Sequence, residues 1–334
     1  MNIDLAFVWA GIISFAVLTY VILDGFDLGI GILFPFAADT AERDVMMNSV
    51  APVWDGNETW LVLGGGGLFA VFPLAYAVIL PALYMPITLM LLALVFRGVA
   101  FEFRWRTVNW KWLWDFAFTG GSVLAAMMQG ITLGALVQGI KVSDRAYSGG
   151  WWDWLSPFSL LVGVAIVVGY ALLGSTWLIV RTDGELQTRM RRYAWPASVG
   201  TLAMILLVSI LTPFQDAVYF QRWFKWPTVL LSVIMPLLVV GVARGLISGL
   251  KKQHEMSPFI YSLLLFVLCF IGIGLSFFPY LVPPSLTIWD TAAPESSLRF
   301  TLIGTVVLIP LILMYTAYAY WVFRGKVNPD EAYH

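Results

Sequence analysis

Two pairs of carboxylates lie in or beside long apolar runs, where an ionised group is expensive. Asp24 and Asp27 are three residues apart near the end of the first run, and Asp55 and Glu58 have the same spacing at the start of the second. Residues three apart share one face of a helix. Ionisable residues inside apolar spans commonly mark ion or proton paths. The spacing therefore indicates two acidic helix faces that could take up protons.

Basic and aromatic residues accompany these acids. Arg97 and Arg104 are seven residues apart at the end of the third apolar run, with Glu102 between them. Guanidinium groups at that depth could neutralise the carboxylates. The tryptophans Trp54 and Trp60 flank the second acidic pair and suggest a structural contact or a quinone contact.

A proton-entry path, an anionic-headgroup site or a quinone site would need such a cluster, and of these we predict a proton path. The predicted path contains Asp55, Glu58, Asp27 and Asp24, and no metal ligand or catalytic residue is predicted on this chain. Structural explanations stay open for each residue. The aspartates of the first run could reach the membrane surface, the helix dipole favours acids in a first turn, and the arginines could form a purely structural ion-pair lattice.

Composition defines the class of protein that must hold these residues. Of 334 residues, 60% are hydrophobic and only 12% are charged, which is too little charge to cover a soluble domain. The same values exclude intrinsic disorder, and the net charge of −1 argues against a nucleic-acid partner. The single Cys269 excludes a disulfide framework within this chain. The sequence is that of a polytopic membrane protein.

Nine apolar runs approach the length of about 20 residues that a membrane helix needs. We expect an all-α fold in which residues 1–334 form a single integral membrane domain. No charge marks a loop between the second and third runs, so eight spans is the alternative. The predicted spans are 6–34, 54–72, 75–97, 116–139, 157–180, 195–212, 227–248, 258–281 and 299–323.

Basic residues orient these spans because Lys and Arg concentrate in cytoplasmic loops. With nine spans, the side that carries the N-terminus has only five of them: Lys141, Arg145, Arg222, Lys225 and Arg299. The other 14 of the 19 basic residues fall on the opposite side. This predicts an outer N-terminus and a cytoplasmic C-terminus, and it places the acids and arginines described above at the cytoplasmic end.

The chain lacks the usual ligands of a membrane haem. Its two histidines, His254 and His334, lie in a predicted cytoplasmic loop and at the C-terminus, and no span contains one. Haem held in a helix bundle normally takes inward-facing His or Met ligands. A methionine in an apolar span is far more often a packing residue. We therefore expect no redox cofactor bound by this chain alone.

Four segments resemble the signature segments of subunit II of bacterial bd-type quinol oxidases, and they occur in the order of that family. They are LDGFDLGIG at 23–31, APVWDGNE at 51–58, FRGVAFE at 96–102 and PPSLTIWD at 283–290. The connection between the sixth and seventh predicted spans is short, which is closer to the cyanide-insensitive branch of the family.

The resemblance implies the haem-free subunit of a ubiquinol oxidase in the bacterial inner membrane, built from two four-helix bundles and one peripheral helix. Its partner would be subunit I, which carries haem b and haem d or a further haem b, and a very small single-span subunit could be added. The complex would oxidise ubiquinol and reduce O2 to water, electrogenically and without proton pumping. By motif, Asp55 would lie on a cytoplasmic proton route. Lipid and a structural quinone are further expected contacts.

Two other functions stay open from the sequence. A secondary transporter or proton channel would also carry acids in its spans, but such proteins bind substrate near the middle of the membrane. The acids here gather at one end, which counts against transport. A subunit with only an assembly role is the third hypothesis.

Overall fold

The computed structural model describes residues 4–328, which fold almost entirely into α-helices. Two short antiparallel strand pairs interrupt them, β1 (Val142–Ser143) with β2 (Ala146–Tyr147) and β3 (Tyr280–Val282) with β4 (Leu286–Thr287). The helices are α1 (Leu5–Leu33), α2 (Thr40–Asn48), α3 (Trp54–Val71), α4 (Pro73–Ala82), α5 (Tyr84–Arg106), α6 (Lys111–Gln138), α7 (Pro157–Arg181), α8 (Gly184–Leu211), α9 (Ala217–Phe224), α10 (Val229–Lys251), α11 (Met256–Phe277), α12 (Ile288–Thr291) and α13 (Glu295–Val322).

Eight of the described helices are long and apolar enough to cross a membrane: α1, α5, α6, α7, α8, α10, α11 and α13. Helix α3 runs between the same two ends of the molecule. Its 18 residues extend about 27 Å at 1.5 Å per residue, but its first turn is polar. The predicted total of nine spans includes α3 and stays a prediction.

The predicted span 75–97 is wrong in its bounds. The chain breaks at Leu83, so that α4 ends at Ala82 and α5 continues to Arg106. Pro86 explains the break because it has no N–H to donate to the carbonyl of Ala82. Helix α4 packs against β2, β3 and α12, and α5 is the helix that crosses.

Contacts between loops define two ends of the molecule. We call the first of them the basic end. There, Arg43 of α2 pairs with Asp115 at the start of α6. Lys326, in the C-terminal segment (residues 323–328), pairs with Glu255 just before α11. At the opposite end, the indole of Trp289 donates to Asp4. These groupings match the alternation of loops that the sequence predicts. Which end faces the cytoplasm stays a prediction.

Helix α1 lies at the centre and packs against α3, α6 and α7. Helices α1, α3, α5 and α6 form one group, α7, α8, α10 and α11 form a second, and α7 joins the two. Helix α13 touches α1 and α3, its Tyr320 meets Trp177 of α7, and most of its apolar surface is exposed among the described residues. The predicted all-α class is confirmed, and the division into two four-helix bundles and one peripheral helix stays a prediction.

The close approach of α1 to α7 depends on glycine. A methyl group at Gly29 would lie 1.9 Å from the carbonyl oxygen of Tyr170 and 2.8 Å from the amide nitrogen of Gly174. Gly174 in turn faces the backbone of Gly29. Neither helix can relieve such a clash by moving a side chain, because the obstructing atoms belong to the backbone.

We predict that Gly29→Ala lowers the midpoint of thermal unfolding in detergent, because overpacking costs about 1–3 kcal/mol. The matched control is Gly241→Ala, since Gly241 is exposed in α10 and has open space around it. That variant should be neutral or slightly stabilising, as Ala is the better helix former. Equal midpoints for the two variants would contradict the proposed close contact.

Candidate functional site

The first acidic pair is buried because the last two turns of α1 are packed on all sides. Residues 24–31 are all buried, whereas the earlier turns of α1 bury only part of their surface. Gly25 and Gly29 admit α7 on one side, and α3, α5 and α6 close the others. Asp24 and Asp27 therefore have no direct exposure to solvent.

One arginine from α5 faces three carboxylates. The Nη1 atom of Arg97 lies 2.7 Å from Glu58 Oε1 and 3.4 Å from Asp24 Oδ1, and its Nη2 atom lies 3.8 Å from Asp27 Oδ2. The Arg97 side chain is 0% exposed and that of Glu58 is 23% exposed. We call these four residues the Arg97 cluster. It joins α1, α3 and α5 and lies towards the basic end.

Asn57 connects the cluster to the last helix. Its Nδ2 atom donates to Asp27 Oδ2 at 2.8 Å, and its Oδ1 atom accepts from the hydroxyl of Tyr320 at 2.9 Å. Tyr320 lies in α13, 263 residues further along the chain. Sequence reasoning did not identify Tyr320, since an aromatic residue near the end of an apolar span reads as an interfacial anchor.

A second series of hydrogen-bonded side chains lies one helical turn further from the basic end than the Arg97 cluster. The hydroxyl of Tyr170 donates to Gln129 Oε1 at 2.6 Å, and Gln129 Nε2 donates to the hydroxyl of Tyr20 at 2.6 Å. Tyr20 precedes Asp24 by four residues on the same face of α1. The sequence analysis missed these residues as well. A glutamine within an apolar span was the available signal.

Several polar atoms of the Arg97 cluster have no hydrogen-bond partner among the described residues. They are both carboxylate oxygens of Asp24, Oδ1 of Asp27, and Nε and Nη2 of Arg97. The cluster is thus held mainly by charge attraction at 3.4–3.8 Å on its α1 side.

Two of the predicted residues lie outside the cluster. Asp55 and Glu102 are both exposed, and neither forms an ion pair within residues 4–328. Asp55 is nevertheless only one helical turn from Glu58 on the same face of α3. Glu102 is on an exposed face of α5, which does not support its predicted role as a charge partner.

Arg104 belongs to a second cluster, not to the one formed by the span acids. Its Nη1 and Nε atoms lie 2.5 Å from Asp44 of α2 and 2.5 Å from Asp115 of α6, respectively. Seven residues of helix extend about 10 Å, which carries Arg104 past the end of α1. Arg43 and Lys111 pair with the same two acids. We call these five residues the Arg104 cluster.

The two predicted tryptophans are packing residues in the described structure. Trp54 stacks on Phe101 with ring centroids 4.8 Å apart and planes 5° apart. Trp60 is fully buried, meets Phe15 edge to face, and its Nε1 has no partner among the described residues. A quinone contact at either residue stays a prediction.

The described residues do not fit a haem or a metal ion. Within them, no group of three or more His, Cys, Asp or Glu side chains could hold a metal. His254 is exposed in the loop before α11, where its Nδ1 lies 3.2 Å from the hydroxyl of Ser257. His334 lies outside the described residues. No reaction step is therefore assigned to a cofactor on this chain.

The fold and the site define a multi-pass helical membrane protein with a buried acidic cluster near one membrane surface. The family model for cytochrome bd terminal oxidase subunit II matches residues 5–323. The chain therefore belongs to that family, and the resemblance inferred from its four motifs is confirmed. Membership places it in the bacterial inner membrane and implies a subunit I partner.

Individual relatives agree with this assignment. The chain is 30% identical to cytochrome bd-I ubiquinol oxidase subunit 2 of Escherichia coli (strain K12), with 98% of this chain and 96% of the relative covered. It is 28% identical to cytochrome bd ubiquinol oxidase subunit 2 of Bacillus subtilis (strain 168), with 97% of each covered. The structure of bd oxidase from Geobacillus thermodenitrificans has the same fold, with a TM-score of 0.78 at 17% identity over 97% of this chain and 100% of that one.

We predict that Arg97→Gln destabilises the protein by about 3–5 kcal/mol, because it leaves buried carboxylates without their cation. Adding Asp24→Asn and Asp27→Asn to that variant should recover part of the loss. The midpoint of thermal unfolding in detergent measures both effects. Arg106→Gln, which changes an exposed arginine of the same helix, is the control. A triple variant no more stable than Arg97→Gln would show that unbalanced charge is not the cause.

Proposed function

We propose that this chain is the haem-free subunit of a terminal ubiquinol oxidase, in which it stabilises subunit I and supplies cytoplasmic protons for the reduction of O2 to water. Its relatives are named as subunits of ubiquinol oxidases. Haem b and haem d, or a further haem b, would belong to subunit I and carry out the redox chemistry. This chain's residues would hold and move protons.

The Arg97 cluster is the observation that carries the proposal. Three carboxyl groups face one guanidinium in a region with little access to water. If all four groups were ionised, the cluster would carry an excess negative charge, which is costly to bury. A proton on one of the carboxyls removes part of that excess. Such a cluster can accept a proton and release it again at small cost.

The exposure of the residues suggests the direction of uptake. Asp55 is exposed at the basic end, Glu58 lies one turn further along α3 and is partly exposed, and Asp24 and Asp27 are buried beyond it. Protons would pass from Asp55 to Glu58 and then to the aspartates of α1. The hydrogen bonds from Tyr20 through Gln129 to Tyr170 extend this series of polar groups by one helical turn, away from the basic end.

Asp55 also begins a stripe of exposed residues along α3. Thr59, Val62, Gly66 and Phe69 follow it at helical spacing, and all are exposed. A helix that exposes both glycine and large apolar side chains along one face suits close packing with another helix in a membrane. We propose that subunit I covers this stripe, which would bring Asp55 to the boundary between the two subunits.

Other parts of the complex are proposed from family membership alone. A very small single-span subunit and a structural quinone are expected neighbours, as is membrane lipid. The cyanide-insensitive branch is proposed from the short connection between α8 and α10, which contains only α9 and one 3-10 turn. The C-terminus is proposed to be cytoplasmic, so that protons enter from that side.

We predict that Asp55→Asn lowers quinol-driven O2 uptake on the order of 100-fold, the low end of the effect of losing a positioned proton-transfer group. Glu58→Gln should act in the same direction. Haem content and subunit I recovery should be unchanged. Glu185→Gln is the control, since Glu185 is an exposed acid at the same end of the molecule.

Full O2 uptake by both variants, with normal haem content, would contradict a proton route through these residues and leave only an assembly role. Solute transport by the isolated chain in liposomes would instead favour the transporter hypothesis.

We predict that Gly66→Leu reduces recovery of the haem-bearing subunit, because overpacking a helix contact costs about 1–3 kcal/mol. Within this chain Gly66 has open space, so the variant should still fold and insert. Gly241→Leu is the matched control on α10, where the glycine is equally open. Co-purification in mild detergent measures the effect. Equal recovery with the two variants would show that subunit I does not cover this part of α3.

A further inference from the structure

Arg181 is a buried arginine that has no carboxylate partner within residues 4–328. Arg97 and Arg104 are also buried, and each contacts at least two acids. Arg181 ends α7 and is 8% exposed, its Nη1 donates to the carbonyl of Gly325, and its Nε has no partner among the described residues. A buried cation without a counter-ion is costly, so this site calls for an anion.

The acid just after α7 and the acid just before α11 already have partners. Asp183 and Glu255 both pair with Lys326, at 3.3 Å and 2.9 Å. Glu255 also accepts from Gln187 at 2.9 Å. The Lys326 ammonium beside Glu255, together with Gln187, lowers the pKa of that carboxyl. Both carboxylates thus have Lys326 as their partner, and neither forms an ion pair with Arg181 within residues 4–328.

Arg181 lines a cavity of about 200 Å³ at the basic end. The cavity lies between α7, α11, the end of α13 and the loop before α3, and Arg324 is a second guanidinium in its lining. Arg324 stacks over Trp321 at 4.4 Å and also has no ion pair in the described part of the chain. Two arginines thus border one cavity, and none of its lining residues is acidic.

The other walls of the cavity are mostly apolar. Trp177, Met256 and Phe323 line it, and Ser49 and Tyr320 are the hydroxyl-bearing residues of its lining. Its position at the ends of three helices is the depth at which lipid headgroups meet a membrane protein. Guanidinium groups bind phosphate through paired charge-assisted hydrogen bonds. Apolar walls beside two guanidiniums fit a phosphate that is attached to a lipid.

We propose that this cavity binds a phosphate group, held by Arg181 with Arg324 at its rim, and that an anionic phospholipid headgroup supplies it in the membrane. The inference does not rest on the proposed proton route: no residue of that route lines the cavity, and Tyr320, which donates to Asn57, is the one lining residue that contacts a neighbour of the Arg97 cluster. The lipid would act as the counter-ion of Arg181 and tie together α7, α13 and the C-terminal segment.

The experiment uses the intact oxidase complex, stripped of lipid in detergent and returned to nanodiscs of phosphatidylcholine with or without phosphatidylglycerol. Native mass spectrometry counts bound phosphatidylglycerol. We expect Arg181→Gln to weaken the tightest binding about tenfold, the effect of losing a charge-assisted hydrogen bond. Arg192→Gln, which removes an exposed arginine at the same end, should leave binding unchanged.

A second variant separates binding from folding. Because Arg181 also donates to the carbonyl of Gly325, Arg181→Gln could loosen the C-terminal segment. Arg324 is exposed, so Arg324→Gln should fold normally. Weaker binding in Arg324→Gln would support the site. Inorganic phosphate that competes with phosphatidylglycerol in an Arg181-dependent way would support a phosphate site and identify soluble phosphate as a second source.

Three results would overturn the proposal. The first is that neither probe binds in a way that depends on Arg181. The second is that the double variant Asp330→Asn, Glu331→Gln destabilises the complex as much as Arg181→Gln does. These two acids lie outside the described residues, and that result would make one of them the counter-ion of Arg181. The third is that Arg181→Gln releases subunit I without any change in bound lipid.

Discussion

The arrangement of α1, α3 and α5 depends on the charge of Arg97. Its guanidinium is fully buried, and acids from α1 and α3 converge on it. A charge at that depth is tolerated only when it is compensated, so these helices are constrained to keep their acids within reach of α5. Glycines on α1 then allow α7 to close the other side. The same two turns of α1 therefore contain both the acids that compensate the charge of Arg97 and the glycines that let α7 approach.

Much of this could be predicted from the sequence because the membrane restricts where charge can lie. Scarce charge identified the protein class, and the distribution of Lys and Arg predicted which loops share an end, in agreement with contacts such as Arg43–Asp115. Helical spacing also paired Asp24 with Asp27 and Asp55 with Glu58. Those predictions use only local periodicity and burial cost, which a single sequence contains.

The remaining features depend on three-dimensional geometry that local patterns do not contain. The break at Leu83 follows from the backbone hydrogen bond that Pro86 cannot donate, and because the run is apolar throughout, its hydropathy does not mark the break. The partners of Arg104 come from α2 and α6, and Tyr320 reaches Asn57 from the far end of the chain. Sequence spacing predicts which residues share a face of one helix. It does not predict which faces of different helices meet.

The two buried arginines of α5, Arg97 and Arg104, lie in clusters of different kinds. In the Arg104 cluster, three basic residues share Asp44 and Asp115, and both acids lie near the surface, where water can screen them. That arrangement favours fixed charges and stable packing. In the Arg97 cluster, one cation faces three acids with little water nearby. An excess of buried carboxyl groups is stabilised by taking up a proton. The same residue type on one helix therefore balances two acids near the surface in one position and three acids in a buried region in the other.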